Sequence, residues 1–166
     1  MSQEIEIELS PQQPDINALV AWLRAFFAEH GLSDALCQRF AIALDEVVTN
    51  IVEYGAPRQP IKVFILIDNR EVRVQVVDDG IAFDPLQIPA PDTEAGIDER
   101  PIGGLGIFLV KKMMDSVAYE YRDERNRLSF SKRIARQRIQ TSIGNHTDRG
   151  EQDWKSKKLA RVPSSF

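Results

Sequence analysis

Glu4 to Leu9 reads EIEIEL, apolar and charged residues in strict alternation, which is the period of a half-buried β-strand. Pro11 and Pro14 end it. Asp15 then suits the N-cap of a helix that carries Ile16, Leu19, Val20, Leu23, Phe26 and Phe27 on one face, with Gly31 as its C-terminal glycine. Ser33 opens a second helix, in which Leu36, Phe40, Ala43, Leu44, Val47, Val48 and Ile51 recur at helical spacing. It is expected to run to about Tyr54, where Gly55-Ala56-Pro57 stops it. IKVFILI (61–67) and VRVQVV (72–77) read as two strands joined by the tight antiparallel turn DNRE.

Residues 79–103 break this regularity with Gly80, Pro85, Pro89, Pro91, Gly96, Pro101 and Gly103 among scattered acids. A loop of that length inside a small domain is usually a lid, a binding loop or disordered. A helix follows Gly103-Gly104-Leu105-Gly106, with Ile107, Phe108, Val110, Met113 and Met114 among its apolar positions. Residues 116–122 and 127–132 alternate as two strands around DERN. The order is strand, two helices, two strands, long loop, helix, two strands. It predicts an α+β fold, a mixed or antiparallel sheet covered on one face by helices.

A length of 166 residues with 43% hydrophobic and 28% charged residues fits one domain plus a tail and excludes a wholly disordered chain. No run approaches a membrane-spanning length, so no membrane partner is expected, and the acidic, alternating N-terminus is unlike a signal peptide. Cys37 is the one cysteine. It excludes an internal disulfide framework and fits a reducing cytoplasm. On its helix it reads as a small core residue rather than a nucleophile, and His30 and His146 offer no metal-ligand spacing. Charge is uneven. Residues 135–166 hold seven Lys/Arg and three acids, a net +4, which leaves −8 on the rest. The acidic body argues against direct binding to nucleic acid. The basic stretch 135–166 is expected to be a flexible tail or a partner-binding extension.

Three clusters carry candidate chemistry. In LDEVVTNIVEYG, Glu46 and Asn50 lie four residues apart on one helix face, beside the pair Asp45 and Thr49. A carboxylate and a carboxamide so placed can polarise a hydroxyl and hold a hydrated magnesium ion, although an isolated E-x-x-x-N is most often a solvated helix edge. In VVDDGIAFDP a hydrophobic strand ends in Asp78, Asp79 and Gly80. An acid there can meet a ligand's amino group, and Asp-Gly alone is also a common turn. In PIGGLGIFLVKKMMD, glycines precede a helix whose free N–H groups favour phosphate. The spacing fits neither a Walker A loop nor a dinucleotide fingerprint.

Together and in this order, these motifs resemble the GHKL ATPase/kinase superfamily, with the Bergerat ATP-binding fold of histidine kinases, gyrase B and the heat-shock 90 chaperones. The short form, and the Phe83-Asp84-Pro85 that follows, look most like the bacterial anti-sigma factor serine/threonine kinases. The resemblance covers about residues 5–134 and implies a two-layer α/β sandwich with a mixed, mostly antiparallel sheet. It makes residues 1–134 the ATP-binding kinase domain. Glu46 falls on the family's general base and Asn50 on its magnesium ligand. Asp78 falls on the adenine-reading aspartate and Gly80 on the glycine beside the adenine. Gly104 and Gly106 fall on the phosphate-passing glycines, with Gly103 and Leu105 in the same nucleotide-binding segment. Residues 81–102 would form the ATP lid, and Arg100 would end it near the terminal phosphates. Ala82, in place of a further glycine, and Tyr54-Gly55, at the end of the asparagine helix, depart from the family pattern.

The resemblance implies an ATP- and Mg2+-dependent serine/threonine protein kinase. It would sequester a sigma factor, phosphorylate an anti-sigma factor antagonist and pair as a homodimer. The alternative is a nucleotide-binding switch protein without significant kinase activity that regulates a different partner. A fragment of a larger histidine kinase is disfavoured by the start at Met1 with its own first strand and by the missing phosphoacceptor helix.

Overall fold

The computed structural model describes residues 2–89 and 104–134. Among them, five strands form one sheet: β1 (Gln3–Leu9), β2 (Ile61–Ile67), β3 (Glu71–Asp78), β4 (Ser116–Arg122) and β5 (Arg125–Arg133). Three α-helices, α1 (Ile16–Glu29), α2 (Asp34–Asn50) and α3 (Gly104–Met113), supply the second layer. The strand order is β1-β2-β3-β5-β4, and every described pairing is antiparallel. The expected α+β sandwich is therefore present, and no parallel strand pair occurs among the described residues.

The two periodicities meet in one core. Strand β2 alternates buried and half-buried along its whole length, with Ile61, Val63, Ile65 and Ile67 facing the helices. Leu19, Leu23 and Phe27 of α1 and Phe40, Leu44 and Val48 of α2 close over them, all at most 1% exposed. Phe40 joins the layers: its ring lies 5.6 Å from Phe27 and 6.0 Å from Phe130 of β5. The predicted caps are made. The Asp15 carboxylate accepts from Ala18 N at 2.9 Å, the Ser33 hydroxyl accepts from Leu36 N at 3.3 Å, and Gly31 takes the left-handed conformation after α1 (φ 67°). Cys37 is buried in the same core, and burial raises its thiol pKa, as befits a packing residue.

Two details differ from the sequence expectation. The α-hydrogen-bonded part of the second helix stops at Asn50, and residues Ile51–Gly55 form a π-helical turn that ends in a left-handed Ala56 (φ 48°). A π-turn widens the helix by about one residue per turn, and here its end meets the chain leaving β3, where Ile81 N donates to Gly55 O. The start of the expected lid is also built rather than loose. The Asp84 carboxylate accepts from Leu86 N at 2.9 Å and caps a 3-10 turn over Pro85–Gln87. Lys111 Nζ of α3 donates to Leu86 O at 2.8 Å. The remainder of the lid, Arg100, and the tail from 135 lie outside the described residues.

Candidate functional site

The C-terminal end of β3, the π-turn and the N-terminal part of α3 surround a cavity of about 430 Å3. Its walls are mostly apolar: Val47 and Ile51 from the α2 side, Ile107 from α3, Leu128 from β5, and Ile81, Phe83 and Ile88 from the chain that leaves β3. The polar groups on the wall are few, namely Asn50, Asp78, Tyr54, Tyr119 and Asn126. An apolar cavity with a handful of placed polar groups is the usual form of a small-molecule site.

Asp78 is 3% exposed. Burial pushes its pKa above the usual aspartate value, and the neighbouring Asp79 charge adds to that. Hydrogen bonds from Asn126 and Gly80, and the Arg125 charge, act in the opposite direction. Oδ1 accepts from Gly80 N at 2.8 Å and from Asn126 Nδ2 at 2.9 Å. Both of these donors use Oδ1, and Oδ2 has no donor among the described residues.

Asp79 has different work. Its Oδ1 accepts from Arg58 N at 2.8 Å and Gln59 N at 2.9 Å, which ties the end of β3 to the segment that enters β2. Those backbone donors, Gln59 first, lower its pKa. The two adjacent carboxylates thus divide into one on the cavity wall and one in the framework.

Gly80 is required by the protein itself. A Cβ there would collide with the carbonyl oxygen of Gly55 and lie 2.8 Å from Asp78 Oδ1. The same Gly55 carbonyl accepts from Ile81 N at 2.7 Å. The first effect of a glycine at 80 is to let the π-turn close onto the end of β3.

Glu46 and Asn50 share the α2 face as the spacing required, both half-buried, whereas Asp45 and Thr49 are exposed. Asn50 lines the cavity. Glu46 sits one turn back, with its carboxylate directly over Gly106 in the first turn of α3, where a Cβ would overlap it. Gly104 is the first residue of α3, and Leu105 is 57% exposed and off the cavity wall. Gly103 lies outside the described residues. No group of three or more His, Cys, Asp or Glu side chains suited to a metal exists among the described residues. That donor set does not suit a protein-enclosed metal. It does suit magnesium held by one amide oxygen, phosphates and water, because Mg2+ keeps most of its waters.

The sequence reading missed Asn126. The residue is 7% exposed and pairs with Asp78 directly in the β3–β5 register. A signal was present: Asn126, Leu128 and Phe130 alternate, so period two assigns the asparagine to the buried face.

Comparison with known proteins finds a matching family, relatives named as protein kinases and a related fold. The family model for the histidine kinase-like ATPase domain matches residues 9–132. The chain is 27% identical over 132 residues to the serine/threonine-protein kinase BtrW of Bordetella bronchiseptica, covering 78% of this chain and 93% of that one. It is 30% identical over 129 residues to the serine-protein kinase RsbW of Listeria monocytogenes, covering 73% and 82% respectively. A crystal structure of the RsbU and RsbW domains of a Mycobacterium tuberculosis protein superposes with a TM-score of 0.56 at 17% identity, over 79% of this chain and 32% of that longer one, a likeness of fold.

Proposed function

The chain belongs to the histidine kinase-like ATPase domain family, and from that premise we propose that it is an ATP-dependent serine/threonine protein kinase of the anti-sigma type, acting on a protein antagonist. The observation that carries this reading is the shared geometry of Asp78, Asn50 and Glu46. Asp78 and Asn50 lie on the wall of one apolar cavity, and Glu46 stands one helical turn from Asn50, against the start of α3.

In this reading the adenine ring enters the slot and its amino group donates to Asp78. Asn50 supplies an amide oxygen to Mg2+, which neutralises phosphate charge when bound. The free N–H groups in the first turn of α3 face the phosphates and favour the charge that develops during transfer. Glu46 accepts the proton of the attacking serine or threonine hydroxyl. An intact carboxylate at 46 favours a working kinase over a switch that only binds nucleotide. Relatives named as serine-protein kinases support the acceptor class. Sequestration of a sigma factor, pairing as a homodimer and a cytoplasmic setting belong to the same proposal. No helix among the described residues is long and apolar enough to cross a membrane.

The test is phosphoryl transfer from labelled ATP to a panel of antagonist proteins, with the parent and Glu46→Gln side by side. Loss of a general base lowers the transfer rate by roughly 10²–10⁴ while ATP remains bound. ATP binding by the parent without transfer to any antagonist overturns the kinase assignment.

A further inference from the structure

Asn126 spends its whole hydrogen-bonding capacity inside the protein. Nδ2 donates to Asp78 Oδ1 at 2.9 Å and is shared between the carbonyls of Ile81 (3.2 Å) and Gly80 (3.4 Å). Oδ1 accepts from the Tyr119 hydroxyl at 2.7 Å and from Phe83 N at 3.3 Å. A carboxamide turned the other way would set its oxygen against Asp78 and its NH2 against a backbone N–H. The five contacts therefore allow one orientation.

We propose that Asn126 is a positioning residue of the base pocket: its carboxamide, oriented by Tyr119, holds Asp78 in place and anchors the chain leaving β3 to the same point. The inference rests on the nucleotide reading of the cavity and extends it to a residue outside the three motifs. One side chain spans three elements: the end of β3, the segment 80–83 that forms one wall of the cavity, and the edge strand β4. Because Nδ2 occupies Oδ1, a ligand amino group is directed to Oδ2. Because Phe83 N is held by the same amide, the wall and the carboxylate keep their spacing.

The structure predicts distinct outcomes for three variants. Asn126→Ala removes one charge-assisted donor and weakens ATP binding roughly ten- to hundredfold, with the loss falling mainly on KM rather than kcat. Asn126→Asp keeps the shape but faces Asp78 with a second carboxylate, so it weakens binding at least as much. Tyr119→Phe leaves the amide its other four contacts and has the smallest effect. Two ligand-free readouts separate this idea from the function itself. The carboxyl carbon of Asp78, followed by NMR, titrates at higher pH in Asn126→Ala than in the parent, against the fixed background of Asp79 and Arg125. The Phe83 amide exchanges faster. Should the parent fail to bind ATP, the kinase reading falls and these two measurements still decide the role of Asn126. An Asp78 titration and a Phe83 exchange rate unchanged in both Asn126→Ala and Asn126→Asp overturn the proposal. If Asn126→Ala does not fold, Asn126→Asp carries the test alone.

Discussion

The carboxylate of Glu46 occupies the space above Gly106, so α2 and α3 meet where one residue has no side chain. A methyl group at 106 has to displace the end of Glu46, and it also crowds the Glu46 Cβ, which is 3.3 Å from the added carbon. Gly106→Ala is therefore expected to move the candidate base rather than merely stiffen a loop. Misplacement on that scale lowers phosphoryl transfer by about 100-fold. Single-turnover transfer rates beside ATP affinities check this, and a normal rate in Gly106→Ala refutes it.

Asp78 is buried, and its pKa is raised chiefly for that reason. Only the ionised form accepts well from an amino group. ATP affinity therefore falls as pH drops through the raised pKa, beginning above the usual aspartate range. Asp78→Asn should bind ATP weakly and lose this pH dependence. Stability has the opposite sign. A raised carboxylate favours the fold below its unfolded pKa, and that contribution is lost as pH rises through the folded value. The ligand-free Asp78→Asn protein is accordingly expected to be the more stable at neutral pH, by thermal or urea unfolding.

Gly80→Ala has no soft neighbour to push aside, since the atom in the way is the backbone carbonyl oxygen of Gly55. Overpacking of this kind costs about 1–3 kcal/mol. Urea unfolding of the variant measures it. ATP binding falls too, because Asp78 Oδ1 is bonded to Gly80 N.

Asp79 is held below its usual pKa by the Gln59 and Arg58 amides. Its contribution to stability is present above the ordinary carboxylate range and is lost as pH falls through the lowered value. Asp79→Ala should cost about 1 kcal/mol at neutral pH and flatten the acid limb of the stability profile. An unchanged acid limb counts against the role.

The β4–β5 hairpin turns on Asp123 and Glu124, both at positive φ (54° and 56°). A two-residue turn of this hand favours Asn-Gly. Glu124→Gly relieves the penalty of a side chain there and is expected to stabilise the protein by about 1 kcal/mol. Equilibrium unfolding tests the sign.

Most of the elements were legible from local pattern. Alternation in EIEIEL and VRVQVV, helical spacing from Leu36 to Ile51, and the caps Asp15 and Ser33 all depend on residues within a turn or two of each other. The same holds for Glu46 and Asn50, since a spacing of four in a helix settles a shared face. The π-turn at 51–55 was not legible, because nothing in IVEYG distinguishes one extra residue per turn from an ordinary helix end.

The sequence alone determined which residue types were available: a carboxylate and an amide on one helix, an acid pair at a strand end, glycines before a helix. Tertiary structure decided how they were used. It assigned Asp78 to the cavity and Asp79 to the segment entering β2, matched Gly80 to the Gly55 carbonyl and Gly106 to Glu46, and brought Asn126 across from β5 to Asp78. The physical reason is range. Periodicity and capping act between near neighbours, whereas these contacts join residues 20 to 60 positions apart and exist only once sheet register and helix packing have set where each backbone runs.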